Sequence, residues 1–211
     1  MSAKLLLVFV LTEFLLCLTP GPAVLLIISQ AVRAGFKPSL NGVAGIVVGN
    51  TIYFCLSALG LGALLLASTT VFQVIKWLGI AYLIVTGIRM LFVRGYASTA
   101  EAMPVIAASH KNRPLTLFGQ GVLTQLANPK AIAFFTALLP QFIHPGGRVI
   151  VQFVVLGVIS IAVEFPVLTA YGWLSARGSG LLPARFASLQ GQFAGGFLIA
   201  AGVGLALTHR P

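Results

Sequence analysis

Three ionisable side chains, Glu13, Lys130 and Glu164, lie inside apolar stretches of a 211-residue chain that has only 3 acidic residues in all. A bare carboxylate or ammonium in hydrocarbon is costly, so each must face the protein interior or water and find a partner there. Groups so placed can take up and release protons or hold the charged ends of a small solute. Glu164 sits near the middle of its stretch and is followed by Phe165-Pro166, so a helix perturbation is expected beside the acid. Lys130 follows Asn128-Pro129, and Glu13 lies about two turns before Thr19-Pro20-Gly21-Pro22. From mid-depth the Lys130 ammonium reaches the interface only with difficulty, which predicts an ion pair with Glu164 or Glu13. Such a pair either braces the helices statically or opens in competition with a proton or an amino-acid carboxylate.

The prolines beside these charges predict why they are there. Proline removes a backbone donor and clashes with the preceding turn, so a spanning helix broken at Pro20-Pro22 or at Pro129 leaves amides and carbonyls unpaired at membrane depth. Freed backbone of that kind suits a transport site near the midplane. Candidate substrate contacts are Thr19, Pro20, Gly21 and Pro22 at one break, and Asn128, Pro129 and Lys130 at the other, with Asn50 and Gln125 from neighbouring stretches. Glu164 and Glu13 are the candidate proton carriers. Taken singly, Asn50, Gln125 and Tyr53 are as readily helix-to-helix hydrogen bonds as ligand contacts, while the Gly45/Gly49 and Gly191/Gly195 steps let helices approach closely.

The elements that must position these residues follow from composition. With 58% hydrophobic and 8% charged residues the chain is far from the soluble norm of about 25% charged. Apolar runs near 20 residues give an all-α, six-span membrane protein, with spans at about Leu5 to Ile28, Leu40 to Ala67, Val71 to Val93, Leu117 to Phe142, Val149 to Leu174 and Leu189 to Leu207. The polar segment from Arg94 to Pro114 separates a first repeat at about 1–95 from a second at about 115–211, within one transmembrane domain. Three spans per half invert the second half relative to the first, and each half opens with a broken helix, the pattern of an inverted-repeat transporter.

Orientation follows from the basic residues. Arg33, Lys37, Arg94, Lys111, Arg113, Arg177 and Arg185 fall on one side, and Lys4, Lys76, Arg148 and Arg210 on the other, which predicts a cytoplasmic central linker and periplasmic termini. The apolar run after Lys4 resumes at Ala23 to Ile28 without a clear cleavage site, so it reads as a span rather than a removed leader.

The net charge of +10 is scattered over short connections, not gathered on one face, and therefore points to topology and lipid headgroups, not nucleic acid. Cys17 and Cys55 lie in apolar runs with no metal or redox spacing between them and read as small buried hydrophobes. His110, His144 and His209 lack metal-ligand spacing, and no nucleophile motif or phosphate loop is present. These observations argue against an enzyme and call for no cofactor and no metal. The remaining classes are a carrier, a channel-like or ion-exchanging protein, and a structural membrane subunit.

Four blocks in order then resemble a known family. They are Leu18-Thr19-Pro20-Gly21-Pro22; Gly45-Ile46-Val47-Val48-Gly49 with Ala58-Leu59-Gly60-Leu61; Lys76-Trp77-Leu78-Gly79-Ile80-Ala81-Tyr82-Leu83 with Gly87-Ile88-Arg89; and Asn128-Pro129-Lys130 through Leu139-Pro140-Gln141-Phe142. Together they resemble the LysE/RhtB family, the bacterial lysine exporters and homoserine/threonine resistance transporters. The resemblance implies a six-span protein of the bacterial inner membrane that exports amino acids or small derivatives, driven by the proton gradient and often assembled from several copies. Ala23 departs from the polar residue, such as Asn, that relatives commonly carry after the second proline, so backbone instead of side chain is expected to serve there.

The expected topology is checked by membrane-impermeant thiol labelling of Ser109→Cys and Thr208→Cys, each in a background lacking Cys17 and Cys55. In intact cells Thr208→Cys should label and Ser109→Cys should not; the reverse pattern would invert the assignment.

Overall fold

The computed structural model describes residues 2–19, 21–67, 77, 81, 84–85, 88, 113–144, 146–178, 196, 199 and 203, with backbone alone at 61–67, 129 and 137. The expected third and sixth spans, apart from isolated positions, and the Arg94 to Pro114 linker lie outside the described residues, as does Pro20.

Helix α1 (Ala3–Leu18) starts on Ser2, whose Oγ accepts from the Leu5 amide at 3.3 Å. It stops at Thr19, which is extended (φ −74°, ψ 122°), as a residue before proline prefers. Gly21 is extended too, and α2 (Pro22–Ala34) begins with Pro22 in its first turn, where the missing N–H costs nothing. The two helices meet at 52°, forming one broken span. The second break repeats this chemistry. Helix α4 (Pro114–Leu126) ends at Ala127, Asn128 is extended (φ −76°, ψ 111°), and its side chain accepts from the Lys130 amide at 3.0 Å to start α5 (Pro129–Ala133). The chain continues as a wide helical segment, Phe134–Leu138, and a tight one, Leu139–Phe142, and this second pair is bent by 50°.

Helices α3 (Phe36–Ala67) and α6 (Val149–Ala176) are continuous. At about 1.5 Å per residue, 28 residues of α6 reach roughly 42 Å, longer than a hydrocarbon core of about 30 Å, so the helix has to tilt or project.

Two expectations are corrected here. Arg33 and Lys37 are not in a loop: they occupy the last turn of α2 and the first turn of α3, and the connection is Gly35 alone. Its φ of +91° turns the chain and favours glycine, which is why so short a link suffices. Nor does Pro166 break α6 beside Glu164. One proline in an otherwise regular helix removes a single bond, which membrane helices tolerate, whereas two prolines around Gly21 remove two donors and force two extended residues.

Helix directions follow from contacts. A Cβ on Gly49 would meet Gln125, and one on Gly45 would meet Phe118 and Gly121, so residue numbers rise together and α3 and α4 are parallel. Ser160 bonds Glu13 and Tyr171 bonds Leu18, so α1 and α6 are parallel as well. Gln30 bonds Leu117 while Lys130 bonds Leu16, so the first broken span runs against the second. This is the order that first, second, fourth and fifth crossings of a serpentine chain require. It also gathers Arg33, Lys37, Arg113 and Arg177 at one end of the bundle, with Lys4 and Arg148 at the other.

Two apolar clusters form the interior. One joins Phe9, Phe54, Phe134, Phe135, Phe142 and Leu156, with Phe9 edge-on to Phe142 at a centroid distance of 5.0 Å. The other joins Val24, Ile27, Val43, Ile46 and Leu168. Between α3 and α4 there is no room for a side chain at Gly121, where a Cβ would press on Gly42 and Gly45 backbone, whereas Gly119 has nothing within 4 Å. Gly121→Val should therefore lower the thermal midpoint of the detergent-solubilised protein, with an overpacking cost of about 1 to 3 kcal/mol, and Gly119→Val should leave it nearly unchanged. Equal effects of the two would show that the α3–α4 approach is not tightly specified.

Candidate functional site

The two breaks face each other across a small cavity lined from six helices: Glu13, Leu16 and Cys17 of α1, Ala23 and Val24 of α2, Asn50 of α3, Gln125 of α4, Lys130, Ala131, Phe134 and Phe135 of α5 and its continuation, and Glu164 and Leu168 of α6, with Asn128 at the α5 cap. Members of both apolar clusters are in that lining, so the cavity lies between them. Its volume is about 40 Å³, room for roughly three waters.

A string of hydrogen bonds crosses this space. The Lys130 amide donates to Asn128 Oδ1 (3.0 Å), Asn128 Nδ2 to Gln125 Oε1 (3.2 Å), Gln125 Nε2 to Asn50 Oδ1 (2.5 Å), and Asn50 Nδ2 to Glu164 Oε2. Each amide passes on one donor and one acceptor, so the string fixes three side chains and ends on the carboxylate. Asn128, Asn50 and Gln125 are each under 5% exposed, which makes these bonds obligatory. Glu13 is held separately, with Ser160 Oγ donating to its Oε1 at 2.5 Å.

The broken end of α1 is closed from the other half of the chain. Lys130 Nζ donates to the carbonyls of Leu16 (2.8 Å) and Thr19 (3.3 Å), and Tyr171 Oη donates to that of Leu18 (2.9 Å). Thr19 Oγ1 takes the Leu15 carbonyl at 2.9 Å. A cation at a helix C-terminus is also favoured by the helix dipole. The ion pair expected between Lys130 and Glu13 or Glu164 is thus replaced: the hydrogen bonds of this ammonium go to backbone carbonyls, because the break supplies acceptors nearer than either acid.

Of the residues singled out from sequence, Glu13, Asn50, Gln125, Asn128, Lys130 and Glu164 all line the one cavity. Thr19 and Gly21 border it as backbone, with Gly21 against Lys130, where an added Cβ would stand 3.6 Å from Nζ. Pro22 and Pro129 start helices at its edge. Tyr53 lies outside, its hydroxyl on the Leu126 carbonyl at 2.6 Å. Sequence reasoning missed Ser160 and Tyr171. The signal for Ser160 was its position one helical turn before Glu164. Cys17 is buried, as expected, and belongs to the cavity wall, whereas Cys55, also expected to be buried, is exposed.

Broken spans closing on a buried polar cavity, in a bundle of long apolar helices, define a polytopic membrane translocator. The chain belongs to the family described as LysE type translocator, whose profile matches residues 14–209. It is 33% identical over 169 residues to the homoserine/homoserine lactone efflux protein of Salmonella typhimurium, covering 80% of this chain and 79% of that one. An uncharacterized membrane protein of Vibrio cholerae is 33% identical over 171 residues, 81% of this chain and 80% of its own. The leucine efflux protein of Salmonella choleraesuis is 28% identical over 130 residues, 60% and 57% of the two chains. No solved structure matches the chain significantly.

Asn50 is the pivot of the string, so Asn50→Leu should leave both Gln125 Nε2 and a Glu164 oxygen without partners. The expected cost is about 1 to 3 kcal/mol, visible as a lower thermal midpoint, together with loss of transport. A midpoint equal to wild type would mean that the string contributes nothing to holding α3, α4 and α6 together.

Proposed function

We propose that the protein exports amino acids or closely related amines across the bacterial cytoplasmic membrane in exchange for protons. The observation that carries this reading is the meeting of both helix breaks at one cavity that also holds both buried acids. A zwitterion would present its carboxylate to the start of α2, where Ala23 and Val24 line the cavity at the positive end of the helix, and its ammonium to Glu164, Glu13 and the amide oxygens. Lys130, beside Gly21, would complete the carboxylate end. Relatives that carry the names of homoserine and leucine efflux proteins support a small neutral amino acid as cargo.

Glu164 is the favoured coupling acid, with Glu13 second. Protonation would release its bond from Asn50 and favour the other orientation of the cavity, a population shift driven by one named charge. The two halves, about 1–95 and 115–211, would move as inverted repeats, with the end that carries Arg33, Lys37, Arg113 and Arg177 in the cytoplasm and the termini outside. Several copies would assemble in the bilayer.

Counterflow of radiolabelled amino acids in proteoliposomes tests the carrier reading, because only a carrier gives transient accumulation driven by exchange. Pro129→Ala should reduce transport more than membrane abundance, since a restored helix would pair the backbone that lines the site. Unchanged efflux would remove the second break from the mechanism. Glu164→Gln, which imitates the protonated acid, should abolish gradient-driven efflux but keep exchange. Concentrative export by that variant, collapsed by a protonophore, would pass the coupling role to Glu13.

A further inference from the structure

We propose that Glu13 and Glu164 are not alternatives but two halves of one exchange site, in which the substrate's primary ammonium and protons exclude each other, and that Ser160 positions the Glu13 half. This rests on the exporter reading above and specifies how its site would couple.

Both carboxylates line the same cavity, one from α1 and one from α6. Ser160 and Glu164 are one turn apart on the buried face of α6, and Ser160 Oγ pins Glu13 Oε1 at 2.5 Å, so the α1 acid is fixed next to the α6 acid by a residue of the same helix. Glu13 is 5% exposed and Glu164 6%, so neither can be left ionised without compensation. Among the described residues, compensation inside the wall is incomplete. Asn50 donates to one oxygen of Glu164 and Ser160 to one of Glu13, while an ionised carboxylate offers about four acceptor positions. Among the described residues, the other charged or titratable groups that face the pair are Lys130 of α5 and Cys17 of α1, with neutral Asn50 of α3 and Gln125 of α4. Lys130 has its ammonium on the Leu16 and Thr19 carbonyls, which leaves the acids to be neutralised by what enters the cavity.

With room for roughly three waters, the space admits an ammonium head against the pair but little solvation for it, and a protonated pair offers no charge to compensate it, so ammonium and protons compete. Facing the cytoplasm, an incoming ammonium would displace a proton from the carboxyl pair into cavity water and out to that side. Facing the periplasm, departure of the ammonium would leave charge that a proton from that side neutralises. The proton released and the proton taken up balance over the cycle, and antiport follows without a separate gate.

The test is equilibrium binding to the detergent-solubilised full-length protein, with a panel of the twenty amino acids and L-homoserine, between pH 5.5 and 8.5. Affinity of the wild type should fall as pH falls, by up to about tenfold per unit where one proton is exchanged, and binding in weak buffer should release protons. Glu164→Gln and Glu13→Gln should each flatten the slope. Ser160→Ala should move the midpoint of the profile while binding persists, and Ser160→Thr, which keeps the hydroxyl, should restore it; a role in folding alone would not shift the profile. Binding that is independent of pH and releases no proton would overturn the exchange site and leave the exporter reading standing. If no member of the panel binds and none shows counterflow, the exporter reading falls and the exchange site with it.

Discussion

Hydrocarbon supplies no hydrogen bonds, so every backbone group that a helix break frees must be partnered by something else in the protein. The architecture of this chain is largely the answer to that requirement at one place, the end of α1. Its last carbonyls are taken by Thr19 from within the break and by Lys130 and Tyr171 from the other half of the chain. Tyr53 of α3 in turn donates to the Leu126 carbonyl at the second break, so each interruption is held closed by a residue that the opposite half contributes. Halves joined only by apolar packing could slide past one another. These are keyed at the cavity.

That keying also explains the choice of side chains around it. A lysine at mid-depth is tolerated because two carbonyls at the negative end of α1 accept from it, and two acids are tolerated because α6 and α3 each supply a donor. Asn128, Gln125 and Asn50 then carry polarity from the α5 cap to Glu164 without any further charge. The close approach that such short amide contacts demand is provided by glycine: α3 meets α4 through Gly45, Gly49 and Gly121, where no larger side chain fits.

Much of this was legible in the chain itself. Rarity did most of the work, because an ionisable group or a double proline in an apolar run has few structural excuses, and Glu13, Lys130, Glu164 and both breaks were found that way. What could not be read was pairing. Nothing in the spacing says that the Lys130 ammonium prefers two carbonyls to a carboxylate, since those acceptors exist only once Pro20 has ended α1. Ser160 was hidden because a serine hydroxyl in an apolar helix commonly bonds its own preceding turn, and Tyr171 because its ring reads as apolar packing; only the packing of α1 against α6 gave the two hydroxyls their partners. Pro166 shows the opposite case, a strong local signal that a long, regular helix absorbed.

The same contrast separates the helices that carry the cavity from those that support it. Helices α3 and α6 are unbroken and each contributes to the polar core mainly through residues in its middle, Asn50 on one and Ser160 and Glu164 on the other. The broken spans contribute through their ends. A rigid rod can change its contacts only by moving as a whole, whereas a helix end can give up one carbonyl or one amide at a time. Because Glu164 sits on a rod and Lys130 on an end, under the proposed coupling a change of charge at the acid would act on α6 as a whole. From there it would reach α1 through Ser160 and Tyr171 together. Two contacts on parallel helices, five residues apart on α1 and eleven apart on α6, resist rotation of one helix on the other more than either contact alone. The same two contacts tie the middle of α6, where Glu164 sits, to the end of α1 at the first break.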